Sequence, residues 1–493
     1  MYKPIIKLLE MHGFKAFVCG ESARDLYLQV EPTTHNIAVK GTLDSLRKQL
    51  GDKVHETNEY DTSLKIQFMD KEYTLYPLKK ISLVNTYYNF DYVASLEEDA
   101  STKDFTINSM YYNPLTSVWY DFNDGKRDID KKIIRFVGDP KTRILESKIR
   151  MIRAAVLCST MGEGWSVSAE SQNAIKEYKL KAVPIHPKQI NEEIVNLLKR
   201  AERPSKAFNI MRATKLLDSI FPELKETFGI EQSNKAKGLD VYQHIMLALD
   251  SIPLNKPNSF YIRLAALLHD IGKPYTEIHT NTGIHFYNHE NVGAHIAERI
   301  MQRWGFNKQV IDKILILIRN HLFDAAPSKS ESSIRKLISK VGVENIHDLL
   351  DLRIADRHGT GRKDISMQKI YTLRDKINTQ LVKTSPKNFK LQISDNTLRH
   401  ILEKHTDDVD AALINAKKFL ESKVIFGRLS NKQVNLKKAL NKIIKIRCPL
   451  DKAYLLKIWA DIQSGNVETF PDGKLVCGIY CSFLCNQYIK KNQ

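Results

Sequence analysis

The sequence predicts an α+β protein: a mixed α/β head over residues 1–135, followed by an all-helical chain. Three observations carry this. In the first 135 residues, short apolar runs such as AFVC, LKIQFM and YTLYPL alternate with amphipathic stretches and turn residues. Further on, apolar residues recur at helical spacing in ESKIRMIRAAVLCSTMG, INEEIVNLLKRA and PSKAFNIMRATKLLDSIFPEL. At 493 residues the chain can bury several separate cores. The expected segments are a head (1–135), a helical neck and body (136–236), a helical centre (237–365) and a helical C-terminal region (366–493).

In chain order, a helix over 4–12 leads into a strand at Ala16–Cys19. A turn at Gly20 opens a helix through Arg24-Asp25-Leu26. A strand near Asn36–Val39 precedes the helix TLDSLRKQL, started by Thr42. LKIQFM and YTLYPL, joined at Asp70-Lys71-Glu72, read as a hairpin. After a polar stretch, FTINSMYYNP and VWYDFNDGKRDI read as strand and turn. Pro184, Pro187 and Pro204 punctuate the neck helices. GTGRKDIS, at 359–366, reads as the exit loop of the centre. MQKIYTLRDKINTQLV, SDNTLRHILEKH and DDVDAALINAKKFLES read as helices.

The composition, 42% hydrophobic and 27% charged, is that of a globular protein, and no eighteen-residue apolar stretch suggests a membrane span. The amphipathic, basic N-terminus lacks an apolar signal core and reads as a first helix ended by Gly13. The net charge of +18 suggests a polyanionic partner, most simply nucleic acid bound through its phosphates. From Lys417 to Arg447 ten Lys/Arg accompany one acid, Glu421, with apolar residues between them. Lys437 and Lys438 lie on this basic amphipathic segment and are candidate RNA contacts. Cys19, Cys158 and Cys448 are scattered, while Cys477, Cys481 and Cys485 recur every four residues, as on one side of a core helix. Paired zinc spacing is missing, so reduced thiols and a cytoplasmic setting are expected.

The chemistry concentrates in AALLHDIGKP. His269 and Asp270 follow a run that reads as a buried helix. An imidazole and a carboxylate buried together are costly without a cation. His244, His289, His321 and Asp356 lie at helix-length intervals on either side, each in or beside an apolar helical pattern. Such ligands on several helices build a transition-metal site.

This pattern resembles the HD phosphohydrolase superfamily, in which a His, a His-Asp pair, one or two further His and an Asp occur in that order. The resemblance makes His244, His269, Asp270 and Asp356 ligands of a first metal. It makes His289 and His321 the extra ligands of a larger or dinuclear site, and faces Lys273 to a substrate phosphate. His269, Asp270 and Lys273 become the catalytic candidates. The cofactor implied is a divalent metal, whether Mn, Ni, Co, Fe or Mg.

The first half is similar to the class II tRNA nucleotidyltransferase (CCA-adding enzyme) and poly(A) polymerase family. The similarity runs over residues 4 to about 225, through AFVCGESARDLYL, KDFTINSMYYNP and IIRFVGDPKTRILESKIRMIRAA. It implies a nucleotidyltransferase-like head and, in bacterial members, an HD domain after the neck. The departures are chemical. The family's metal-binding Asp-x-Asp aligns with Thr34-His35-Asn36, and its third carboxylate with Thr74. Neutral Thr and Asn side chains do not replace a Mg²⁺ carboxylate pair. The second glycine of the Gly-Gly turn after Gly20 is Glu21, which repels a triphosphate and tolerates positive φ poorly. Of the nucleotide-pocket motifs, Asp99 and Asp104 persist beside Thr102 and Lys103. Glu146 and Arg150 persist beside Ser147. Arg24, Asp25, Arg150 and Arg153 remain candidates for nucleotide or RNA binding or for helix-tying ion pairs. Glu31, Asp61 and Asp70 are the nearest substitute acids.

The expectation is therefore an inactive polymerase head, a pseudoenzyme scaffold, carrying a metal-dependent HD phosphohydrolase or phosphodiesterase. Its substrates would be nucleotides, phosphate esters or an RNA 3′ end, with tRNA one candidate. The rivals are an active tRNA nucleotidyltransferase or poly(A)-adding enzyme with unusual metal ligands, and a non-catalytic RNA-binding subunit.

Overall fold

Helix α1 (Lys3–Met11) opens with a proline in its first turn and buries Ile5, Ile6 and Leu9 on one face. That face packs on a sheet whose inward residues alternate with outward ones. The computed structural model describes residues 1–445 apart from 59–61, 85–86, 180–184, 233–237, 327–329, 363, 384–390, 405–408, 426–428 and 430. The proposed cysteine helix and the end of the basic segment lie outside the described residues.

The head continues with β1 (Ala16–Cys19), α2 (Gly20–Tyr27), β2 (Asn36–Val39) and α3 (Leu43–Leu50), which Thr42 caps by a reciprocal bond with Ser45. Then come β3 (Val54–Asn58), β4 (Ser63–Phe68), β5 (Lys71–Pro77), β6 (Lys79–Val84) and β7 (Tyr87–Tyr92). The last head elements are α4 (Leu96–Ala100), β8 (Tyr111–Asn113), β9 (Val118–Tyr120) and α5 (Gly125–Asp130). The main sheet has the order β3-β4-β5-β2-β1-β8-β9. Its β2 and β5 are parallel, and the other pairs are antiparallel. Ile37, Val39, Leu64, Ile66 and Leu75 meet α1 in the core.

Three readings of the head change. FTIN is a 3₁₀ turn at Thr106–Asn108, and only Tyr111–Asn113 is strand. Side chains hold that turn: Thr106 Oγ1 donates to Asp128 Oδ2 at 2.6 Å and Ser109 Oγ to the Thr106 carbonyl at 2.8 Å. GKRDI is helical, because Asp121 accepts from the free N–H groups of Gly125 and Lys126 at 2.8 and 2.9 Å. The polar stretch before FTIN holds the β6–β7 hairpin, whose alternation of Ile81 and Leu83 was masked by lysines and tyrosines.

The neck comprises β10 (Ile133–Ile134), α6 (Pro140–Glu146), α7 (Ile149–Thr160), β11 (Ser166–Val167), α8 (Ala169–Tyr178), α9 (Pro187–Arg200), α10 (Ser205–Ala213), α11 (Leu217–Ile220) and α12 (Pro222–Lys225). The centre adds α13 (Val241–Asp250), α14 (Ser259–Leu268), β12 (Glu277–Thr280), β13 (Gly283–Phe286), α15 (His289–Arg303) and α16 (Lys308–Asn320). Beyond lie α17 (Glu331–Val341), α18 (Ile346–His358), α19 (Gln368–Lys383), α20 (Asp395–Leu402), α21 (Val409–Ile425) and α22 (Gln433–Lys445).

The chain divides into two compact units. The first is Met1–His321 with Asp351–Ile365, and so holds head, neck and centre. The second is Leu322–Leu350 with the chain from Ser366. In the second unit Leu398, Leu402, Leu413, Leu420, Leu436 and Leu440 form a core. That places Leu436 and Leu440 of α22 inward, Lys438 outward, and Lys437 half-buried. Among the described residues no helix is long and apolar enough to cross a membrane.

In the first unit α14 packs against α9, α13, α15 and α16. Its Arg263 is fully buried. The guanidinium donates to the carbonyls of Leu198 and Ala201 at the end of α9, and to those of Glu202 and Ile252. It thus satisfies helix-end carbonyls that have no partner within α9. Replacing Arg263 with Met is expected to strand these acceptors and cost roughly 3 kcal/mol or more. A fall in the urea midpoint of the full chain would measure it; an unchanged midpoint would contradict this role.

Candidate metal centre and head cleft

Helix α13 is started by a capping box between Asp240 and Gln243, which places His244 in its second turn. Helix α14 is apolar nearly all round and stops at Leu268, so His269 and Asp270 leave it deep inside, at 0% and 1% exposure. His289 opens α15, His321 follows α16, and Asp356 lies in the last turn of α18. All six potential ligands converge.

They converge as two sets sharing one carboxylate. His244, His269, Asp270 and Asp356 bring four ligand atoms within 4.8 Å of one another, and Asp270, His289 and His321 do the same. Asp270 Oδ2 lies 3.1 Å from His244 Nε2 and 3.2 Å from His269 Nε2. Its Oδ1 lies 3.3 Å from His289 Nε2 and 3.8 Å from His321 Nε2. Asp356 Oδ1 closes the first set, 3.2 Å from His244 and 3.6 Å from His269.

The outer contacts set which ring nitrogens face inward. Nδ1 of His269, His289 and His321 donates to the carbonyls of Ala266, Phe286 and Ile318 at 2.8, 2.6 and 2.7 Å. In a neutral ring this leaves the Nε2 lone pair inside the pocket. Yet Nε2 of His244 and His269 stand 3.2 Å apart, and those of His289 and His321 3.3 Å apart. Between His289 and His321 the lone pairs face each other, an arrangement that a shared cation relieves. Between His244 and His269 a proton meets that need. Burial disfavours a charged His269, but Asp270 and then Asp356 outweigh it and push its pKa up to about 10. His321 is pushed down to about 3, by burial first and by His269 next. Burial alone would raise Asp270 and Asp356. The histidines, with Lys273 at Asp270, hold both well below the carboxylate range. Two ionised carboxylates and four imidazoles are a donor set suited to divalent transition metals.

The surrounding chain keeps the cluster tight. A Cβ on Gly272 would collide with the His289 carbonyl and the Gly293 backbone, so only glycine lets α15 approach the turn after Asp270. A Cβ on Gly359 would fall 2.8 Å from His244 Nδ1 and Cε1. Lys273 Nζ donates to Asp270 Oδ2 at 2.6 Å and to Gln232 Oε1 at 2.9 Å. Arg353 Nη1 donates to Asp356 Oδ2 at 2.6 Å, turning Oδ1 toward the histidines. Sequence reasoning passed over Arg353 and Gln232. The i,i+3 spacing of Arg353 and Asp356 was a usable signal; Gln232 carried none.

The head holds a cavity of roughly 500 Å³ lined by Gly20, Glu21, Thr34, Asn36 and Thr74, among others. Asn36 and Thr74 are register partners on the parallel strands β2 and β5, so two neutral side chains stand where paired acids were sought. Glu31 is exposed and pairs with Lys71, and neither it nor Asp70 lines this cavity; Asp61 is outside the described residues. Among the described residues, the head presents no group of three metal-type side chains like that of the centre. Asn36 and Thr74 offer neutral oxygens in place of carboxylates as magnesium ligands, and the acids that line the cavity, Glu21, Asp104 and Glu193, are each paired with an arginine.

Glu21 departs from expectation. It lies in α2 without positive φ, and Gly20 takes the φ of +62°. Its carboxylate sits 3.9 Å from Arg24 Nη1 and 4.0 Å from Arg200 Nη1. The other retained residues divide. Arg24 binds Asp25 through Nε and Nη2, at 3.0 and 2.8 Å, and donates to Asn108 at 3.0 Å. Asp99 is buried and accepts from Tyr111, Lys103 and the Lys79 N–H. Arg150 pairs with Glu146 at 2.6 Å and donates to the Thr102 carbonyl. Asp25, Asp99 and Arg150 do not line the cavity, whereas Arg24, Asp104 and Arg153 do. Arg153 bridges Asp104 at 3.2 Å and Glu193 at 2.8 Å. At Glu193 burial prevails and raises the pKa. At Asp104 burial also raises it, but Arg153 and Arg150 together bring it below the ordinary value.

The comparisons with known proteins match this architecture. The profile of the poly(A) polymerase head domain matches residues 16–135, and that of the HD domain matches residues 239–360. An A-adding tRNA nucleotidyltransferase of Deinococcus radiodurans is 27% identical over 270 residues, 53% of this chain and 60% of that protein. A CCA-adding enzyme of Bacillus subtilis is 30% identical over 198 residues, 38% of this chain and 48% of that protein. The chain thus spans less than two thirds of the length of these relatives. Among solved structures, the Bacillus stearothermophilus CCA-adding enzyme in complex with CTP superposes with a TM-score of 0.60 at 18% identity. That covers 89% of this chain and 95% of the other. The Thermotoga maritima CCA-adding enzyme complexed with tRNA gives 0.53 at 15% identity, covering 90% and 94%. These likenesses establish a shared fold.

A depressed Asp104 pKa means that its carboxylate adds stability above the ordinary carboxylate range and loses it as pH falls. Asp104→Asn is therefore expected to melt below the parent chain at pH 7, with the gap closing below about pH 4. Thermal melts at both pH values would read this; a gap that widens in acid would contradict it.

Proposed function

We propose that this chain, which joins a poly(A) polymerase head domain to an HD domain, is a metal-dependent phosphohydrolase or phosphodiesterase working at the HD centre. The observation that carries the reading is the convergence of five buried side chains and the half-buried Asp356 into two ligand sets that share Asp270, set against a head cavity in which Asn36 and Thr74 are register partners. His244, His269, Asp270 and Asp356 would hold one metal ion, and Asp270, His289 and His321 a second. A divalent metal held by these residues would supply Lewis-acid chemistry, polarising a phosphoryl oxygen and lowering the pKa of water.

The chain's own groups supply the rest. Asp270 divides its oxygens between the two sets and keeps them at fixed separation. Arg353 holds Asp356 in its ligating orientation. Lys273, beside Asp270, offsets negative charge gathering on the phosphoryl group. The substrate class proposed is a nucleotide or an RNA 3′ end. The net charge of +18 and relatives named as tRNA-acting enzymes support RNA, and tRNA in particular. The head cavity is proposed as an inactive polymerase site kept as scaffold.

His269→Ala together with Asp270→Ala is expected to abolish metal-stimulated phosphate release from nucleotides and 2′,3′-cyclic phosphates; unchanged release would remove this site from the reaction. The second reading is nucleotide addition by the head, favoured by the relatives' names. Incubation with Mg²⁺, labelled ATP or CTP and tRNA lacking its terminal A is expected to give no incorporation. Robust incorporation would overturn the inactive-head proposal.

A further inference from the structure

Two buried polar atoms at the HD centre have no hydrogen-bond partner among the described residues, Nδ1 of the ligand His244 and Nε2 of Gln232, and the second belongs to a residue outside the ligand set. Gln232 precedes α13, and its Oε1 accepts from Lys273 Nζ at 2.9 Å. Lys273 Nζ donates in turn to Asp270 Oδ2 at 2.6 Å. This chain of contacts fixes the amide. An ammonium can only donate, so the carboxamide oxygen faces Lys273 and the nitrogen takes the other branch. That nitrogen, Nε2, is buried and has no hydrogen-bond partner among the described residues. Its two N–H groups have been taken from water without an acceptor in exchange, a costly arrangement. Lys273 has three N–H groups, and Asp270 and Gln232 engage two. The third N–H has no hydrogen-bond acceptor among the described residues, where the ammonium otherwise meets only the Phe286 ring, 5.4 Å from its centre, so a donor remains at each end of the Lys273–Gln232 hydrogen bond.

We propose that Gln232 and Lys273 form a two-donor cradle for the non-bridging oxygens of a phosphate ester at the HD centre. The proposal rests on the phosphohydrolase reading and names the groups that recognise its substrate. A phosphoryl group offers acceptors only, so donors must hold it. The carboxamide adds a donor without adding charge, which suits a pocket where Lys273 already supplies an ammonium. The buried Nε2 gains its acceptor when the ester arrives.

The alternative role for Gln232 is to hold Lys273 and nothing more. Two substitutions separate the roles. Gln232→Leu removes both acceptor and donor. Gln232→Glu keeps an acceptor for Lys273 but removes the N–H groups. The full chain, loaded with Mn²⁺, would be titrated with inorganic phosphate by calorimetry. Phosphate is expected to bind about tenfold more weakly to Gln232→Leu, and more weakly still to Gln232→Glu, whose carboxylate repels it. Metal content, read by atomic absorption, is expected to match the parent in both.

Parent-like phosphate affinity in Gln232→Glu would overturn the cradle and leave Gln232 as a support for Lys273. Absence of phosphate binding by the parent would overturn it too. Loss of metal from both variants would do the same, by making Gln232 part of the ligand framework. The phosphohydrolase reading fails by a different result: no metal-stimulated release of phosphate by the parent chain, whatever its phosphate affinity.

Discussion

The Asp270 carboxylate cannot exist where it does without positive charge around it. It is buried to 1% exposure, and yet four imidazoles and an ammonium crowd its two oxygens. Desolvating an anion is expensive, and the expense is offset only when cations and donors surround it closely. Much of the first unit can be read as the means of meeting that condition. The apolar α14 delivers Asp270 to the interior, Gly272 lets α15 come near enough to contribute His289, and α13, α16 and α18 bring the other ligands. Each ring is turned by a backbone carbonyl or a close backbone neighbour, so the pocket's polarity is set by main chain as much as by side chains.

The head presents the opposite arrangement. Its cavity still holds arginines, but internal acids occupy them. Glu21 lies between Arg24 and Arg200, and Arg153 is shared by Asp104 and Glu193. Charge that an anionic ligand would meet is largely balanced from within, and the neutral pair Asn36 and Thr74 completes the change. One unit thus contains a pocket whose buried carboxylates gather positive charge and a pocket whose positive charge is matched by its own acids.

The ligands were legible in the sequence because metal chemistry restricts residue types and because each lies in or beside an apolar helical pattern. His269-Asp270 after a run of buried aliphatics is such a pattern. The strands Ala16–Cys19 and Asn36–Val39 were legible for the same reason: their apolar residues are contiguous and bounded by turn residues. What sequence reading lost depended on side-chain bonds over distance. The FTIN turn is held by Asp128, and the GKRDI helix is started by Asp121. Gln232 shows the limit most plainly. A glutamine has no preferred chemistry in a sequence, and its meaning comes from an unfilled donor visible only after folding.

Arg263 gathers the carbonyl end of α9 into α14, and the same helix ends, six residues on, at His269. The neck and the ligand cluster are therefore mounted on one lever. A cut between residues 236 and 237, where composition invites a border, would sever the Leu198, Ala201 and Glu202 carbonyls from their guanidinium and leave it only the Ile252 carbonyl in the remaining piece. Removing the neck would therefore cost the HD region three of the acceptors that hold α14, and any tilt of α9 would be delivered to His269 at the far tip of that helix.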